Sequence, residues 1–255
     1  MNAPSVSTER LYDAAADGWR RTGPVLLSDY TARPFLLDWC DPVTDADVLD
    51  IGCGEGYMAR ELAKRGARKV LGIDISSEMI TQAHAAGTAD GRLEYRVGDV
   101  SSAQLVLPGT VDLALAAFLF NYLTVAQMET VLARVRAALR VGGRFVFAVP
   151  HPSLAFVRAH EAPFYFDAAG HDYFSGRDQL FEGHIWRRDG VKLPVRSVHK
   201  TWSDYFHALR GAGFTAMPEV EELHVSEEHV QFDRAFFEPL RGTPLHVAMR
   251  VTREA

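Results

Sequence analysis

Cysteine is nearly absent from the 255 residues: only Cys40 and Cys53 occur, and neither sits in a C-x-x-C or other metal-ligand spacing. No disulfide framework is needed, and a reducing compartment fits. The histidines form no H-E-x-x-H, and His224 and His229 are five apart, which points them to different faces of a helix; no metal is expected. The longest apolar run, Leu113 to Phe120, is far shorter than the ~20 residues of a membrane-spanning helix, so no membrane segment is expected. The opening MNAPSVSTER lacks a basic stretch followed by an apolar core, unlike a secretory signal, and a cytoplasmic location is the expectation. A basic stripe is missing too. With 27 Lys and Arg against 33 Asp and Glu, the net charge of −6 argues against a nucleic-acid partner, although such acidity also serves solubility alone. Internal repeats, low-complexity tracts and long linkers are absent.

What is present is a core-forming chain. Its 47% hydrophobic content suffices for one large domain or two small ones. From residue 47 onward a short apolar run, a Gly- or Asp-bearing turn and a helical period recur, the pattern of βαβ units. Strands are expected at 47–51, 69–74, 92–97, 111–117 and 143–149. Ala59, Leu62 and Ala63 recur at helical spacing before Gly66, predicting a helix over 55–65. Further helices are expected at 76–86 and 125–139, the latter ending at the turn Val141-Gly142-Gly143. Residues 150–200 break the pattern with aromatics among Gly and charges, which reads as an inserted cap. A helix at 201–211, a strand near 215–225 and a last strand, His246 to Thr252, follow. Residues 5–40 carry two helical stretches separated near Thr22-Gly23-Pro24. These could cover a site or merely pack on the sheet. The expected division is an N-terminal helical lid (1–46), an α/β core (47–149), a substrate cap (150–200) and a C-terminal completion of the sheet (201–255).

Three acids mark three strand ends. Asp50 closes VLDI ahead of Gly52-Cys53-Gly54-Glu55-Gly56, Asp74 closes VLGID, and Asp99 follows YRVG. Each interval is one βα unit, so parallel strands bring all three to the carboxyl edge, where open α/β sheets bind ligands. Any one of them could simply cap the next helix. Three at matched spacing behind a glycine turn indicate a nucleotide-type ligand. A dinucleotide fits the formal match Gly54-x-Gly56-x-x-Ala59, with Asp74 downstream, but the register argues against it. Gly52 and Cys53 intervene after the strand, and Asp50 would repel a diphosphate while suiting a cation.

DIGCGEG, GIDIS with Met79 downstream, GDV and LRVGGRFVF together resemble the successive motifs of class I S-adenosylmethionine (SAM) dependent methyltransferases, over roughly residues 45–150. The resemblance implies a Rossmann-like α/β fold: a seven-stranded, mostly parallel sheet with an antiparallel last strand. ARELAKRGA, AAFLFNYL and TWSDYFHALRGAGF extend the likeness to bacterial small-molecule methyltransferases of the toxoflavin N-methyltransferase type. It implies SAM as cofactor, S-adenosylhomocysteine as product and a small-molecule acceptor of specialised metabolism, with nitrogen slightly favoured over oxygen or carbon. A SAM-binding regulator that does not methylate and, at greater distance, an NAD-dependent oxidoreductase stay open as rivals, as does assembly into a homo-oligomer.

For SAM, Asp74 can accept from both ribose hydroxyls, Asp99 can accept from the adenine amino group, and Asp50 lies nearest the sulfonium and amino group. Gly52, Cys53 and Gly54 form the turn, and Ile75, Met79, Val100 and Phe118 supply apolar walls. Tyr12, in YDAAADGW, resembles an opening in which a tyrosine closes over SAM, and it is the second candidate base. His151, directly after the fifth strand at VPHPS, is the first; it could equally orient substrate or bind cap backbone. Arg33 could reach the SAM carboxylate or stay solvated. Tyr122, in FLFNY, occupies the place where amino-methylating DNA enzymes carry N/D-P-P-Y/F, but both prolines are missing here. Tyr173 and Trp186 could roof an apolar acceptor, or form the cap's own small core.

Overall fold

The apolar runs and helical stretches resolve into a computed structural model that describes residues 8–19, 23–87, 91–107, 109–158 and 160–255. Three helices lead: α1 (Thr8–Trp19), α2 (Leu27–Thr31) and α3 (Arg33–Cys40). Two were expected. The second stretch breaks at Ala32, whose φ of −137° leaves the helical region, and Pro34, in the first turn of α3, has no N–H to continue a ladder. Of the expected separator, Thr22 lies outside the described residues.

The core then runs β1 (Asp47–Ile51), α4 (Tyr57–Lys64), β2 (Lys69–Asp74), α5 (Ser77–Ala85), β3 (Leu93–Val97), β4 (Val111–Ala117), α6 (Val125–Ala138) and β5 (Leu139–Pro150). α4 follows its apolar spacing: Met58, Ala59, Leu62 and Ala63 are buried, and Gly66, at φ +98°, lets the chain turn away. Thr124 caps α6 through its side chain and Gln127 answers in a capping box. α6 passes into β5 without the expected intervening turn. Val141-Gly142-Gly143 is instead a bulge inside the strand: register jumps from Val111 opposite Leu139 to Leu113 opposite Arg144, with Gly142 at φ +78°. Within the bulge, the Gly142 amide donates to the Arg253 carbonyl and the Gly143 carbonyl accepts from the Arg253 amide.

The cap, whose residues carry no clear helical period, contains α7 (Leu154–Val157) and a three-stranded antiparallel sheet, β6 (Phe164–Asp167), β7 (Leu180–Trp186) and β8 (Lys192–Val198). Its alternation is period 2. Phe164, Phe166, Phe181, Ile185, Leu193 and Val195 are buried on the inner face. The chain returns through α8 (Trp202–Gly211), β9 (Glu219–Leu223), α9 (Glu227–Phe232), α10 (Arg234–Phe237) and β10 (His246–Thr252), so the ambiguous gap before the last strand is helical. No helix of the described residues is long and apolar enough to cross a membrane.

The main sheet has the order β3-β2-β1-β4-β5-β10-β9, with β10 antiparallel to both neighbours. This is the Rossmann-like seven-stranded architecture that the motifs implied. One face packs Leu49, Ile73, Phe145 and Phe147 against α6 and α8; the other packs Val48, Val70 and Leu115 against α3, α4 and α5. A third cluster joins the inner face of the cap to Leu26, Leu27 and the 225–245 segment.

Three bonds tie the cap to the segment after β4: Asn121 Nδ2 to the Arg196 carbonyl (3.5 Å), Lys200 Nζ to the Leu123 carbonyl, and the Val125 amide to Asp178 Oδ1 (2.8 Å). Lys200 is buried, and burial pushes its pKa down to about 7.

Phe147 is packed edge-on to Phe120 at 5.2 Å and stacked on Phe145 at 5.0 Å. Phe147→Ala is expected to destabilise the protein by about 3–5 kcal/mol, read from the urea midpoint at unchanged slope.

Candidate active site

Because the parallel strands share a direction, β1 to β5 all leave the sheet at one edge, and β10, running the other way, begins there. A cavity of about 340 Å³ lies over that edge. Its floor is formed by the loops after β1, β2, β3 and β4, and its other walls by α1, the start of α3 and the inner face of the cap sheet.

The turn after β1 is shaped by glycine. Gly54 has φ +55°, and its amide donates to Asp74 Oδ2 at 2.8 Å. Gly56 has φ +81°, and a side chain there would meet Tyr95 Oη at 2.5 Å, so both conformation and space demand glycine. Asp74 Oδ1 accepts from the Ser76 amide at 3.0 Å. Burial raises its pKa, and the Ser76 and Gly54 amides pull the other way. Asp99 Oδ1 accepts from the Ser101 amide (2.8 Å) and hydroxyl (2.7 Å).

Asp50 is different. It is 1% exposed, and neither carboxylate oxygen has a hydrogen-bond partner of ordinary geometry; the Ala59 amide offsets only a little of the charge. Burial, then the negative charge of Asp74, pushes its pKa up to about 7, with Arg33 opposing. Arg33 lies on the cavity wall over the Phe118 ring (5.5 Å), its guanidinium held by Asp29 at 3.1 Å and by Ser28 Oγ. It is a cavity residue rather than a solvated one.

The structure brings together most of the expected residues. Tyr12, Asp50, Gly52, Cys53, Gly54, Asp74, Ile75, Met79, Asp99, Val100, Phe118 and Tyr122 all line the cavity. Tyr12 donates to the Tyr122 hydroxyl, their rings edge-to-face at 5.3 Å. Burial raises both phenol pKa values, and the neighbouring Tyr122 raises that of Tyr12 further, so neither is poised as a base. Burial also lifts the Cys53 thiol well above its ordinary range, which leaves it unreactive.

Three expected residues lie elsewhere. His151 lines a separate cavity, sized for one water, where Nε2 meets Glu222 at 2.7 Å and Nδ1 accepts from the Ser153 amide. Its backbone stays at the ligand edge, bonded to the Leu245 carbonyl, but its ring is turned to Glu222 and Ser153 and does not line the larger cavity. Tyr173 is a cap strut: its hydroxyl accepts from the Trp202 amide at 3.0 Å, and its carbonyl meets His199 Nε2. Trp186 alternates outward from Ile185, beneath the Lys192 ammonium at 5.0 Å, so it does not roof the cavity.

The histidine at the cavity is His246, 2% exposed at the start of β10, opposite Pro150 and Leu223 in register. An antiparallel last strand begins where the others end, so this position was readable from the strand order alone. Thr31 Oγ1 donates to the Leu27 carbonyl (3.0 Å) and therefore offers a lone pair to His246 Nδ1 at 3.4 Å. That arrangement favours the proton on Nδ1, which leaves Nε2, with no protein partner among the described residues, as the acceptor. Burial, followed by the positive charge of Arg33, pushes the imidazole pKa down to about 3. Asn121, 3% exposed, also lines the cavity, with Oδ1 lacking a partner among the described residues.

A sheet of this order with acids at successive strand ends and a buried, uncompensated carboxylate beside the glycine turn defines a Rossmann-like site for a cationic nucleotide-type ligand. Residues 48–143 match the family model of a methyltransferase domain. The chain is 26% identical to the N-demethylindolmycin N-methyltransferase of Streptomyces griseus over 67% of this chain and 72% of that one. It is 33% identical to the nocamycin O-methyltransferase of Saccharothrix syringae over 56% of this chain, and spans about half (52%) of that enzyme. The crystal structure of a SAM-dependent methyltransferase from Mesorhizobium loti superposes with a TM-score of 0.65 at 25% identity, over 86% of this chain and 96% of the other. This protein is a class I SAM-dependent methyltransferase, and SAM is its cofactor. The residues present fit that cofactor, because the orphaned Asp50 carboxylate gains a positive partner from it.

Asp74→Ala is expected to weaken SAM binding by about 2–3 kcal/mol in calorimetry; an unchanged dissociation constant would contradict this site. A second expectation concerns pH. The folded state holds the Asp50 proton up to about pH 7, whereas an ordinary carboxyl loses it near 3.8, so folded protein binds more protons than unfolded between those values. The stability that this proton supplies to the ligand-free enzyme is full at the acid end of the window and lost as pH rises through it. Asp50→Asn should remove that slope in urea titrations at successive pH values, and a slope identical to wild type would assign it elsewhere.

Proposed function

We propose that the enzyme methylates a small organic acceptor in specialised metabolism, with nitrogen preferred over oxygen or carbon as the methylated atom. When bound, SAM supplies a methyl group whose bond to the positively charged sulfur breaks, its electron pair passing to sulfur, as the acceptor's lone pair forms the new bond.

In this reading Asp74 takes the ribose hydroxyls with the lone pairs left free by the Gly54 and Ser76 amides. Asp99 and Val100 receive the adenine, Ile75, Met79 and Phe118 wall the nucleoside, and Asp50 faces the cationic end. Arg33 is placed for the carboxylate of the methionine moiety. Tyr12, bonded to Tyr122, closes the cavity from α1 and keeps water from the reacting atoms.

The observation that carries the preference for nitrogen is the protonation chemistry of the acceptor side. An alcohol must lose a proton to attack well, and a base adds about 10² to 10⁴ in rate. His246, with its pKa pushed down to about 3, is a far weaker base than a free imidazole, and Tyr12 and Tyr122 are held as neutral phenols. A neutral amine attacks with its own lone pair and sheds its proton to solvent afterwards, so alignment supplies most of the rate. The likeness to a natural-product N-methyltransferase supports the same reading, while the nocamycin relative names oxygen as a rival.

The test is transfer of labelled methyl from SAM to paired amines and alcohols that share one carbon skeleton. Amines are expected to be methylated at least tenfold faster, and transfer confined to the alcohols would overturn the preference.

A further inference from the structure

The cavity divides its charge unevenly. Asp50, Asp74 and Asp99 sit at the strand ends with Glu55 in the glycine turn paired to Arg60, Glu9 lines the cavity from α1, and Arg33 is engaged by Asp29. The arm facing the cap is walled by Phe164, Phe166, Ile185 and Val195, none of which carries charge. An ammonium or carboxylate buried against that arm would be desolvated without a partner, which is heavily penalised.

Two polar groups on the cavity wall have acceptor capacity that no protein donor fills among the described residues. One is Asn121 Oδ1. The other is Nε2 of His246, the acceptor in the tautomer that Thr31, already donating to the Leu27 carbonyl, favours. The imidazole is clamped edge-on to Phe118 at 4.9 Å, with Phe164 at 5.9 Å. β10 is paired on both sides, with β5 and with the edge strand β9, so the ring is mounted on a hydrogen-bonded strand rather than on a loop. Two unfilled acceptors call for donors on the ligand.

Building on the reading of a small-molecule acceptor, we infer that this acceptor is an uncharged, largely apolar ring compound whose N–H or O–H donates to His246 Nε2. His246 is then a specificity-determining residue that points the nucleophile toward the methyl group, and Thr31 is the positioning residue that holds its tautomer. Burial keeps the ring neutral across the physiological range, so its acceptor is never lost to protonation.

Calorimetric titration of the enzyme saturated with S-adenosylhomocysteine tests this, using four probes with one apolar body: 4-isopropylaniline, its N,N-dimethyl derivative, 4-isopropylbenzoate and 4-isopropylbenzylammonium. The aniline is expected to bind at least tenfold more tightly than the other three. His246→Phe, which keeps the ring but not the acceptor, should bring the aniline to the level of its dimethyl derivative, with S-adenosylhomocysteine affinity held within twofold. His246→Gln, which keeps an acceptor, should retain at least threefold preference. If His246→Phe fails to fold, Thr31→Val, which frees the tautomer, should lower the preference in its place. Equal or tighter binding of a charged probe, no binding of any probe, or a folded His246→Phe that keeps tenfold discrimination would overturn the inference. Failure of wild type to bind S-adenosylhomocysteine would instead strike the methyl-transfer reading beneath it.

Discussion

The site depends on what Asp74 holds. Its two oxygens receive the amides of Gly54 and Ser76, which fastens the glycine turn after β1 to the entry of α5, and the Ser76 hydroxyl then donates to Asp13 of α1 at 2.6 Å. One buried carboxylate thereby sets the positions of a turn, a helix start and the N-terminal helix. A buried charge is tolerated there because peptide dipoles converge on it. Asp50, on the same face of the neighbouring strand, has no amide at ordinary hydrogen-bond geometry, and the Ala59 amide and Arg33 offset only part of its burial. Two acids with the same chemistry therefore sit in opposite settings, one fastened by backbone amides and one left without a partner of ordinary geometry.

Much of this was readable in the residues. Strands buried on both faces leave long apolar runs, so β1, β2 and β4 matched their expected spans, and the interval between acids of about one βα unit placed three of them on one edge. The cap was harder. Its strands alternate apolar and charged residues, but Gly183 and Pro194 interrupt the alternation, and the aromatics of both faces look equivalent until the register is known. That is why Trp186 looked like a roof although it faces outward, while Phe164 and Phe166, two places apart, are the residues that line the cavity.

The exchange of His151 for His246 has the same origin. A residue just past a strand end was read as continuing the direction of the strand, yet the His151 ring is spent on Glu222 and the Ser153 amide. The strand order supplies the correction. Where the last strand is antiparallel, its first residue shares the edge with the others' last, so the start of β10 was the better place to search. Asn121 had no local signal, since an orphaned acceptor becomes visible only when its surroundings are packed.

The three bonds between the cap and the segment after β4 bear on how far the cap can be treated as a separate piece. Asn121, Leu123 and Val125 belong to the segment that also carries Tyr122, and each is bonded to Arg196, Lys200 or Asp178. A foreign cap grafted at residues 150 and 200 would arrive without these contacts and leave the Leu123 carbonyl and the Val125 amide without partners. In this chain the cap and residues 118–125 therefore form one bonded unit that is discontinuous in sequence, and a graft that keeps these contacts has to move both pieces together.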